Sequence, residues 1–322
     1  MTPAAVANRN RARVLVAFAA VYVLWGSTYL AIKYAVATIP PFVMGSARFI
    51  IAGLLLYAAA RWRGAPAPDA REWRSAILTG VLMLAFGNGA VIWSEQTVPS
   101  SLVALIVATV PLWMVLIDWL RPRGVRPKPM MFVGLALGLL GIAVLIGRGA
   151  VTDSGRVPLG GALVLVGGSL SWALGSILTR RFGRPRNAFV FSALQMIAAS
   201  VAFLIMALAF GDVRGFALAQ VKPAAIAGFV YLIIFGSLIG YSAYVYLLGA
   251  VTPAKAATYA YVNPIIAVIL GWAVAGEPIG ARVVIAATVI LAGVAIITTT
   301  QSSAAQTTGE HPTPREATRQ AA

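Results

Sequence analysis

Arg48 stands inside an apolar run that extends from Phe42 to Ala60, which is an unusual place for a charged side chain. An ionisable group in such a run usually faces a cavity or a partner rather than lipid. A guanidinium there could hold a carboxylate through two parallel hydrogen bonds. It could equally extend to the membrane surface or pair with carbonyls at a helix end. The residue type alone leaves these alternatives open.

Aromatic, hydroxyl and amide side chains gather in several other apolar segments. Indole and phenol rings bury apolar groups and keep a hydrogen-bonding edge, and amides both donate and accept. This mixture suits amphipathic solutes such as amino acids. We therefore predict a substrate-binding set that comprises Trp25, Thr28, Arg48, Asn88, Trp172, Ser176, Tyr244, Tyr259 and Asn263. Tryptophan also anchors helices at the membrane interface, and this alternative applies above all to Trp93, Trp113 and Trp272.

Two prolines, Pro111 and Pro264, interrupt apolar segments in matching places of the two halves of the chain. Each removes a backbone donor and frees a carbonyl four residues earlier, near Val107 and Ala260. Paired interruptions of this kind point to the binding site of a transporter, and we predict that both prolines act as flexing points. The alternative is a static kink without ligand contact.

The chain lacks the groups on which most enzymes and metal sites depend. It contains no cysteine, and its single histidine is His311, in a polar tail. We therefore predict no metal, no cofactor and no enzymatic activity. We expect Glu277 to cap the helix that follows it. No acid lies deep in an apolar segment, which argues against strict proton exchange, although Glu95 near a helix end remains possible.

Composition predicts that these residues are carried by membrane-spanning helices. Of 322 residues, 60% are hydrophobic and only 11% are charged, whereas soluble proteins carry about 25% charged residues. Ten apolar segments approach the roughly 20 residues that a bilayer requires, and lipid favours helices over open strands. The segments are Val14–Ala37, Phe42–Ala60, Ser75–Ser94, Ser100–Trp119, Met130–Gly147, Leu159–Thr179, Ala188–Phe210, Ala224–Leu248, Pro253–Ala275 and Ala281–Thr298.

The net charge of +16 is distributed asymmetrically between the predicted loops. Most of the 25 basic residues fall on one side of the predicted membrane, together with both termini. This is the positive-inside pattern of a multi-pass protein with cytoplasmic termini, and it argues against nucleic-acid binding. Lys33 lies near a helix end and is expected to extend to the surface. Glycine spacings in predicted helices 5 and 8 indicate internal packing, so we expect a monomer or a weak homodimer.

The first half of the chain recurs in the second half at a nearly constant offset. Trp25 corresponds to Trp172, Pro111 to Pro264, and Gly141 to Gly293. Each half holds five predicted helices, and because five is odd the halves must be inverted relative to each other. Inverted repeats around a central cavity are typical of alternating-access transporters. The predicted divisions are residues 1–13 (a disordered cytoplasmic segment), 14–147 (first repeat), 148–158 (connecting loop), 159–299 (second repeat) and 300–322 (a disordered cytoplasmic tail).

Several motifs resemble those of the drug/metabolite transporter superfamily, in particular its EamA-type ten-helix permeases. They include the stretch from Leu24 to Lys33, Arg48-Phe49, the stretch from Tyr259 to Pro264, and Gly276-Glu277. The resemblance extends from Val14 to Thr298. It implies a cavity lined by helices 1, 3, 4, 6, 8 and 9, and export of amino acids or related metabolites across the bacterial inner membrane. The expected partners are then a small-molecule substrate and the lipid bilayer.

Two other functions are open to a membrane protein of this composition. A transporter of phosphorylated solutes such as nucleotide sugars would need several cations in its cavity, and only Lys33 and Arg48 are available. A membrane assembly protein would leave the repeat and the matched prolines without a role. Related small multidrug-resistance proteins carry a glutamate where this chain has Val23, so we do not expect cation exchange at that position.

Overall fold

The computed structural model describes residues 3–120, 129–146, 158–182, 185–251, 256 and 258–307, and within these ranges it contains helices and no strand. A short 3₁₀ turn, Leu218–Gln220, precedes the eighth long helix. The ten long helices are α1 (Pro3–Val36), α2 (Pro41–Trp62), α3 (Ala70–Ser94), α4 (Ser100–Leu120), α5 (Pro129–Ile146), α6 (Leu159–Arg181), α7 (Ala188–Ala209), α8 (Pro223–Ala250), α9 (Tyr259–Ala275) and α10 (Ala281–Thr307).

Seven of these helices, α1 to α4 and α6 to α8, are long and apolar enough to cross a membrane. The other three carry shorter apolar stretches, namely Pro129–Val144, Val262–Ala275 and Ala281–Ile296. Large apolar side chains are exposed along many helices, which is expected where the surrounding solvent is lipid. The chain is therefore an all-helical, multi-pass membrane protein.

At both ends of the chain the described helix extends beyond the predicted apolar segment. Helix α1 begins at Pro3 rather than near residue 14, and α10 continues to Thr307 rather than ending near residue 299. Both extensions are rich in alanine, the best helix former, so each helix continues past its apolar part. The predicted connecting loop, apart from Pro158, lies outside the described residues, and so do the basic loop 121–128 and the tail beyond residue 307.

The helices pack in pairs that repeat between the two halves. Helix α2 packs along α7, and α5 packs along α10, so each contacts its own counterpart. Helix α1 contacts α8 and α9, and the corresponding helix α6 contacts α3 and α4. Matched glycines permit the closest approach: a Cβ on Gly293 would lie 2.6 Å from the Gly134 carbonyl oxygen, and one on Gly141 would lie 3.2 Å from the Ala286 carbonyl oxygen.

Contacts between the links show which helix ends lie together. Arg186, in the α6–α7 link, forms ion pairs with Asp69 at 2.5 Å and with Glu72 at 3.7 Å, just before and within the start of α3. In the α7–α8 link, Asp212 accepts a hydrogen bond from the Phe42 amide at the start of α2 (2.9 Å). The α6–α7 link therefore adjoins the α2–α3 link, whereas the α7–α8 link adjoins the α1–α2 link at the opposite end of α2.

Three helices depart from regular α-helical geometry near the centre of the bundle, and a fourth contains a proline. Helix α3 is π-helical over Val81–Asn88, and α8 is π-helical over Leu232–Tyr241, at corresponding places of the two halves. Helix α4 is interrupted between Val107 and Val110, directly before Pro111. Pro264 lies within α9. Because π-helical segments are rare and often accompany functional sites, these departures point to the centre of the bundle.

Candidate functional site

A cavity of about 60 Å³ lies where the irregular helices meet, and this volume is several times what one water molecule needs. Six of the nine predicted binding residues line it: Trp25, Thr28, Arg48, Asn88, Trp172 and Tyr259. They come from α1, α2, α3, α6 and α9. Val107 and Val110 bring the two sides of the α4 break to the same cavity, and Gly236 and Tyr241 bring α8.

Two glycines in the π-helical segments make room for the larger side chains of the cavity. A Cβ on Gly87 would lie 3.1 Å from the Trp172 ring. A Cβ on Gly236 would lie 2.8 Å from the Arg48 Nη2 atom. Both glycines line the cavity themselves. Their lack of a side chain therefore lets an indole and a guanidinium approach the backbones of α3 and α8.

The Arg48 guanidinium lies in the cavity wall with only 4% of the residue exposed. Its Nε donates to Ser237 Oγ at 2.8 Å, and its Nη1 donates a longer hydrogen bond to Asn88 Oδ1 at 3.4 Å. The Phe49 ring lies 4.7 Å from the guanidinium carbon. Among the described residues no carboxylate pairs with it, so several of its five N–H donors remain available to a solute.

Four aromatic side chains form a cluster at one end of the cavity, and we call Trp25, Trp172, Tyr244 and Tyr259 the aromatic cluster. The Trp25 ring lies 5.5 Å from that of Trp172, 5.0 Å from that of Tyr244 and 5.5 Å from that of Tyr259. Such centroid distances are typical of favourable edge-to-face and tilted aromatic pairs. The cluster gives the cavity an apolar wall with polar edges.

The remaining predicted binding residues do not line the cavity. Tyr244 is fully buried behind Trp172, and its hydroxyl accepts a hydrogen bond from Trp172 Nε1 (3.3 Å) and pairs with Ser176 Oγ (3.0 Å). Asn263 is 2% exposed, and its Oδ1 has no hydrogen-bond partner among the described residues. Tyr244, which Ser176 contacts, thus holds the Trp172 ring in place, and whether Asn263 contacts a solute stays a prediction.

Several cavity residues were missing from the predicted set. Tyr29 and Ile32 follow Trp25 by one and two helical turns, so their spacing on the same face of α1 could have revealed them. Ser169 stands one turn before Trp172 in the same relation. Tyr241 also lines the cavity, but its position depends on the π-helical segment, for which the sequence carries no signal that we recognise.

A buried hydrogen-bond chain fixes Tyr241 from behind. Its hydroxyl donates to Gln195 Oε1 at 3.0 Å, and Gln195 Nε2 donates to Thr79 Oγ1 at 2.7 Å. Thr79 in turn donates to the Ser75 carbonyl oxygen at 2.7 Å. The chain joins α8, α7 and α3 through groups that are fully satisfied, which stabilises one arrangement of this wall.

The structure corrects the roles predicted for Glu277 and Lys33. Glu277 does not cap α10, which begins only at Ala281. Its two carboxylate oxygens accept four hydrogen bonds, at 2.6–3.0 Å, from the backbone amides and hydroxyls of Ser100 and Ser101 at the start of α4. Lys33 does not extend freely to the surface, because its Nζ lies 2.7 Å from Glu277 Oε1.

The local sequence explains why Glu277 reaches α4. Gly276 ends α9 in the left-handed conformation (φ 64°), which glycine adopts without strain and which turns the chain back. Gly271 leaves room for the carboxylate, since a Cβ there would lie 2.6 Å from Oε2. Desolvation raises the pKa of Glu277, but hydrogen bonds from Lys33, Ser101 and Ser100 outweigh it and lower the pKa to about 2. Glu277 is therefore ionised.

A multi-pass helical bundle with a central cavity shared by both halves is typical of membrane transporters. Two segments of the chain, residues 12–147 and 159–299, match the EamA-like transporter family. The chain belongs to this family.

Bacterial relatives support the same assignment. The chain is 39% identical over 280 residues to the "Uncharacterized inner membrane transporter YedA" of Escherichia coli (strain K12), covering 87% of this chain and 88% of that protein. It is 25% identical over 291 residues to the "Uncharacterized transporter YvbV" of Bacillus subtilis (strain 168), covering 90% and 92%. A solved structure described as "Crystal structure of protein" shares the fold, with a TM-score of 0.64, 22% identity and coverage of 89% and 98%.

Proposed function

We propose that this transporter exports amphipathic metabolites that carry a carboxylate, above all amino acids with aromatic or other apolar side chains, across the bacterial inner membrane. The observation that carries the proposal is Arg48, which is buried in the cavity wall and has no acid partner among the described residues. A buried cation without an internal counter-ion favours a solute that supplies one.

The rest of the cavity suits the other parts of an amino acid. The aromatic cluster provides an apolar wall for a side chain. Asn88 and Thr28 provide acceptors for an ammonium group. A phosphorylated solute would find too few positive charges, because Arg48 is the only cation among the residues that line the cavity. Lys33 is held by Glu277. Amino acids therefore fit this cavity better than nucleotide sugars.

We further propose that the chain crosses the membrane ten times as two inverted five-helix repeats, with both termini in the cytoplasm. Corresponding links, such as α1–α2 and α6–α7, adjoin opposite ends of α2, which supports the inversion. Both π-helical segments, and the two sides of the α4 break that precedes Pro111, line the cavity that the halves share. Rocking of one repeat against the other, with flexing near Pro111 and Pro264, would expose the cavity to each side in turn.

Efflux of labelled phenylalanine, methionine and threonine from proteoliposomes tests this function. We expect the wild-type protein to carry phenylalanine and to discriminate against phenethylamine, which has the same ring and ammonium group but no carboxylate. The variant Arg48→Gln should lose about tenfold or more in phenylalanine flux, because a charge-assisted hydrogen bond to a charged group contributes about 1.5–3 kcal/mol. It should also lose the discrimination between the two compounds.

The matched control is Arg214→Gln, which removes an exposed arginine from the α7–α8 link and should transport like the wild type. Equal rates for phenylalanine and phenethylamine in the wild-type protein would refute a carboxylate site at Arg48. Absence of flux for all three amino acids would refute the proposed substrate class.

A further inference from the structure

A second buried acid lies beyond the cavity. Glu95 directly follows the last residue of α3, and only 4% of it is exposed. Neither of its carboxylate oxygens has a hydrogen-bond partner in the described part of the chain. It stands one helical turn after Val91, whose side chain lines the cavity, and its amide donates to the Val91 carbonyl at 3.0 Å. Glu95 therefore lies just behind the cavity wall, and it has no role in the function proposed above.

The charged and titratable groups around Glu95 come from two neighbouring elements. Tyr29 and Lys33 of α1, and Glu277 of the α9–α10 link, are close enough to act on one another or on Glu95 electrostatically. Arg48 of α2 contacts Asn88, about two helical turns away along α3. Helix α6, which also packs against the end of α3, has no charged residue before Arg180.

These neighbours do not satisfy an ionised Glu95 in the conformation described. The positive charge of Lys33 acts on Glu95, but the Lys33 ammonium is bound to Glu277, which four further hydrogen bonds hold in place. A buried carboxylate without donors is strongly disfavoured relative to its neutral acid. Burial raises the pKa of Glu95 well above its ordinary value, Glu277 raises it further, and Lys33 lowers it. The lack of donors and the direction of this pKa shift both favour the neutral, protonated acid in this conformation.

We propose that Glu95 is a proton-binding site that links solute export to the proton gradient. The carboxylate takes one proton from water in the conformation described. It releases that proton, also to water, when the conformational change brings Lys33 or solvent to its oxygens. A group whose protonation differs between two conformations binds and releases a proton in each cycle. If those two conformations open to opposite sides of the membrane, one proton crosses in the direction opposite to that of the solute. The inference rests on the alternating access proposed above.

The first test needs no solute. Infrared spectra of the full-length protein in lipid, recorded over a pH series, should show a protonated-carboxyl band that disappears as the pH rises. The band should be absent from Glu95→Gln, which keeps the shape of the neutral side chain. The control Glu72→Gln, at the start of α3 on the opposite side of the protein, should leave it unchanged. In Lys33→Gln the band should persist to higher pH, because the cation that favours the ionised form is gone.

The second test uses labelled phenylalanine in proteoliposomes, with and without an acidic exterior. The pH gradient should accelerate wild-type efflux severalfold, and this acceleration should be lost in Glu95→Gln and kept in Glu72→Gln. The proposal is overturned by a protonated-carboxyl band that is identical in Glu95→Gln and the wild type, or by an equal gradient response in both. If the wild type carries no phenylalanine, the proposed substrate is wrong and the infrared titration alone decides the role of Glu95.

Discussion

Glu277 joins three elements through one side chain. It accepts hydrogen bonds from the start of α4, pairs with Lys33 of α1 and belongs to the link that follows α9. The first four amides of a helix have no partner inside that helix, and Pro99 cannot cap α4 with its side chain. The Glu277 carboxylate therefore satisfies donors that would otherwise be buried and unpaired.

Glu277→Gln should destabilise the protein by about 1–3 kcal/mol, because a charged acceptor of several buried donors is replaced by a neutral one. The folded-state pKa of Glu277, about 2, lies below its ordinary value of 4.5. The stabilisation is therefore complete above pH 4.5 and is lost as the pH falls toward about 2. Thermal unfolding of both proteins in detergent, followed by tryptophan fluorescence over this pH range, measures the difference.

The gap between the two unfolding temperatures should narrow on acidification. A temperature difference that stays constant down to the lowest pH would contradict an ionised Glu277 carboxylate at the start of α4. The absence of any difference near neutral pH would contradict it too. The milder variant Ser100→Ala removes one hydroxyl donor and keeps the backbone donor, so its effect should be smaller than that of Glu277→Gln.

The contacts of Glu277 with the start of α4 also show why part of the site was not predictable. Local spacing placed Glu277 near the helix that follows it, but its actual partner Ser100 lies 177 residues away in sequence. By contrast, Trp25, Thr28 and Trp172 line the cavity, as expected of polar and aromatic groups inside apolar helices, which face the protein interior or an interface. The sequence therefore indicates which side chains are buried, but it does not indicate which distant residue each of them contacts across the bundle.

At the scale of the elements, close contact between α3 and α6 shapes the cavity. Gly168 of α6 lines the cavity and packs against α3, and a Cβ there would lie 2.4 Å from the Ala90 Cβ and 3.2 Å from the Gly87 carbonyl oxygen. Without a hydrophobic drive between helices in lipid, small residues permit this approach. The neighbouring Gly167 has no atom within 4 Å of such a Cβ.

Gly168→Ala should therefore destabilise the protein by about 1–3 kcal/mol, since the added methyl group cannot be accommodated without separating two backbones. Gly167→Ala should be neutral or stabilising by up to about 1 kcal/mol, because alanine is the better helix former. The unfolding temperatures of the two variants and the wild type, measured under the same conditions, test this difference in stability. Equal behaviour of these adjacent substitutions would show that the α3–α6 contact is looser than described.

The helices themselves were largely predictable, and their irregularities only in part. Each predicted apolar segment contains or overlaps a described helix, because the bilayer imposes both the length and the apolar character of a span. Pro111 marked the break in α4 because proline has no backbone donor. The π-helical segment Val81–Asn88 left no such mark, since its hydrogen-bond register depends on packing against neighbouring helices.

At the scale of the whole molecule, the two halves differ in sequence but share one packing scheme. The pair α2–α7 and the pair α5–α10 each join corresponding helices, and the contacts of α1 with α8 and α9 are repeated by those of α6 with α3 and α4. If the repeats are inverted, as proposed above, such a bundle has two similar ways of closing, one at each end of its cavity. The proposed alternating access then needs only a small free-energy difference between them.

The inversion of the repeats and the side on which the termini lie can be tested in one experiment. The α2–α3 and α7–α8 links correspond to each other, so inversion requires them to lie on opposite sides of the membrane. Arg63 and Arg214 are exposed in or beside these links, and the natural chain has no cysteine to interfere. We expect a membrane-impermeant maleimide to label Arg214→Cys in intact cells.

Arg63→Cys should react only after the membrane is permeabilised, because the basic residues around the α2–α3 link indicate the cytoplasmic side. Arg13→Cys, exposed on α1, serves as the marker for the N-terminal side and should behave like Arg63→Cys. Labelling of Arg63→Cys and Arg214→Cys from the same side would exclude inverted repeats. Opposite labelling with the two sides exchanged would keep the inversion and place the termini outside. Export would then have to be argued again, because Glu95 and the Lys33–Glu277 pair would face the cytoplasm.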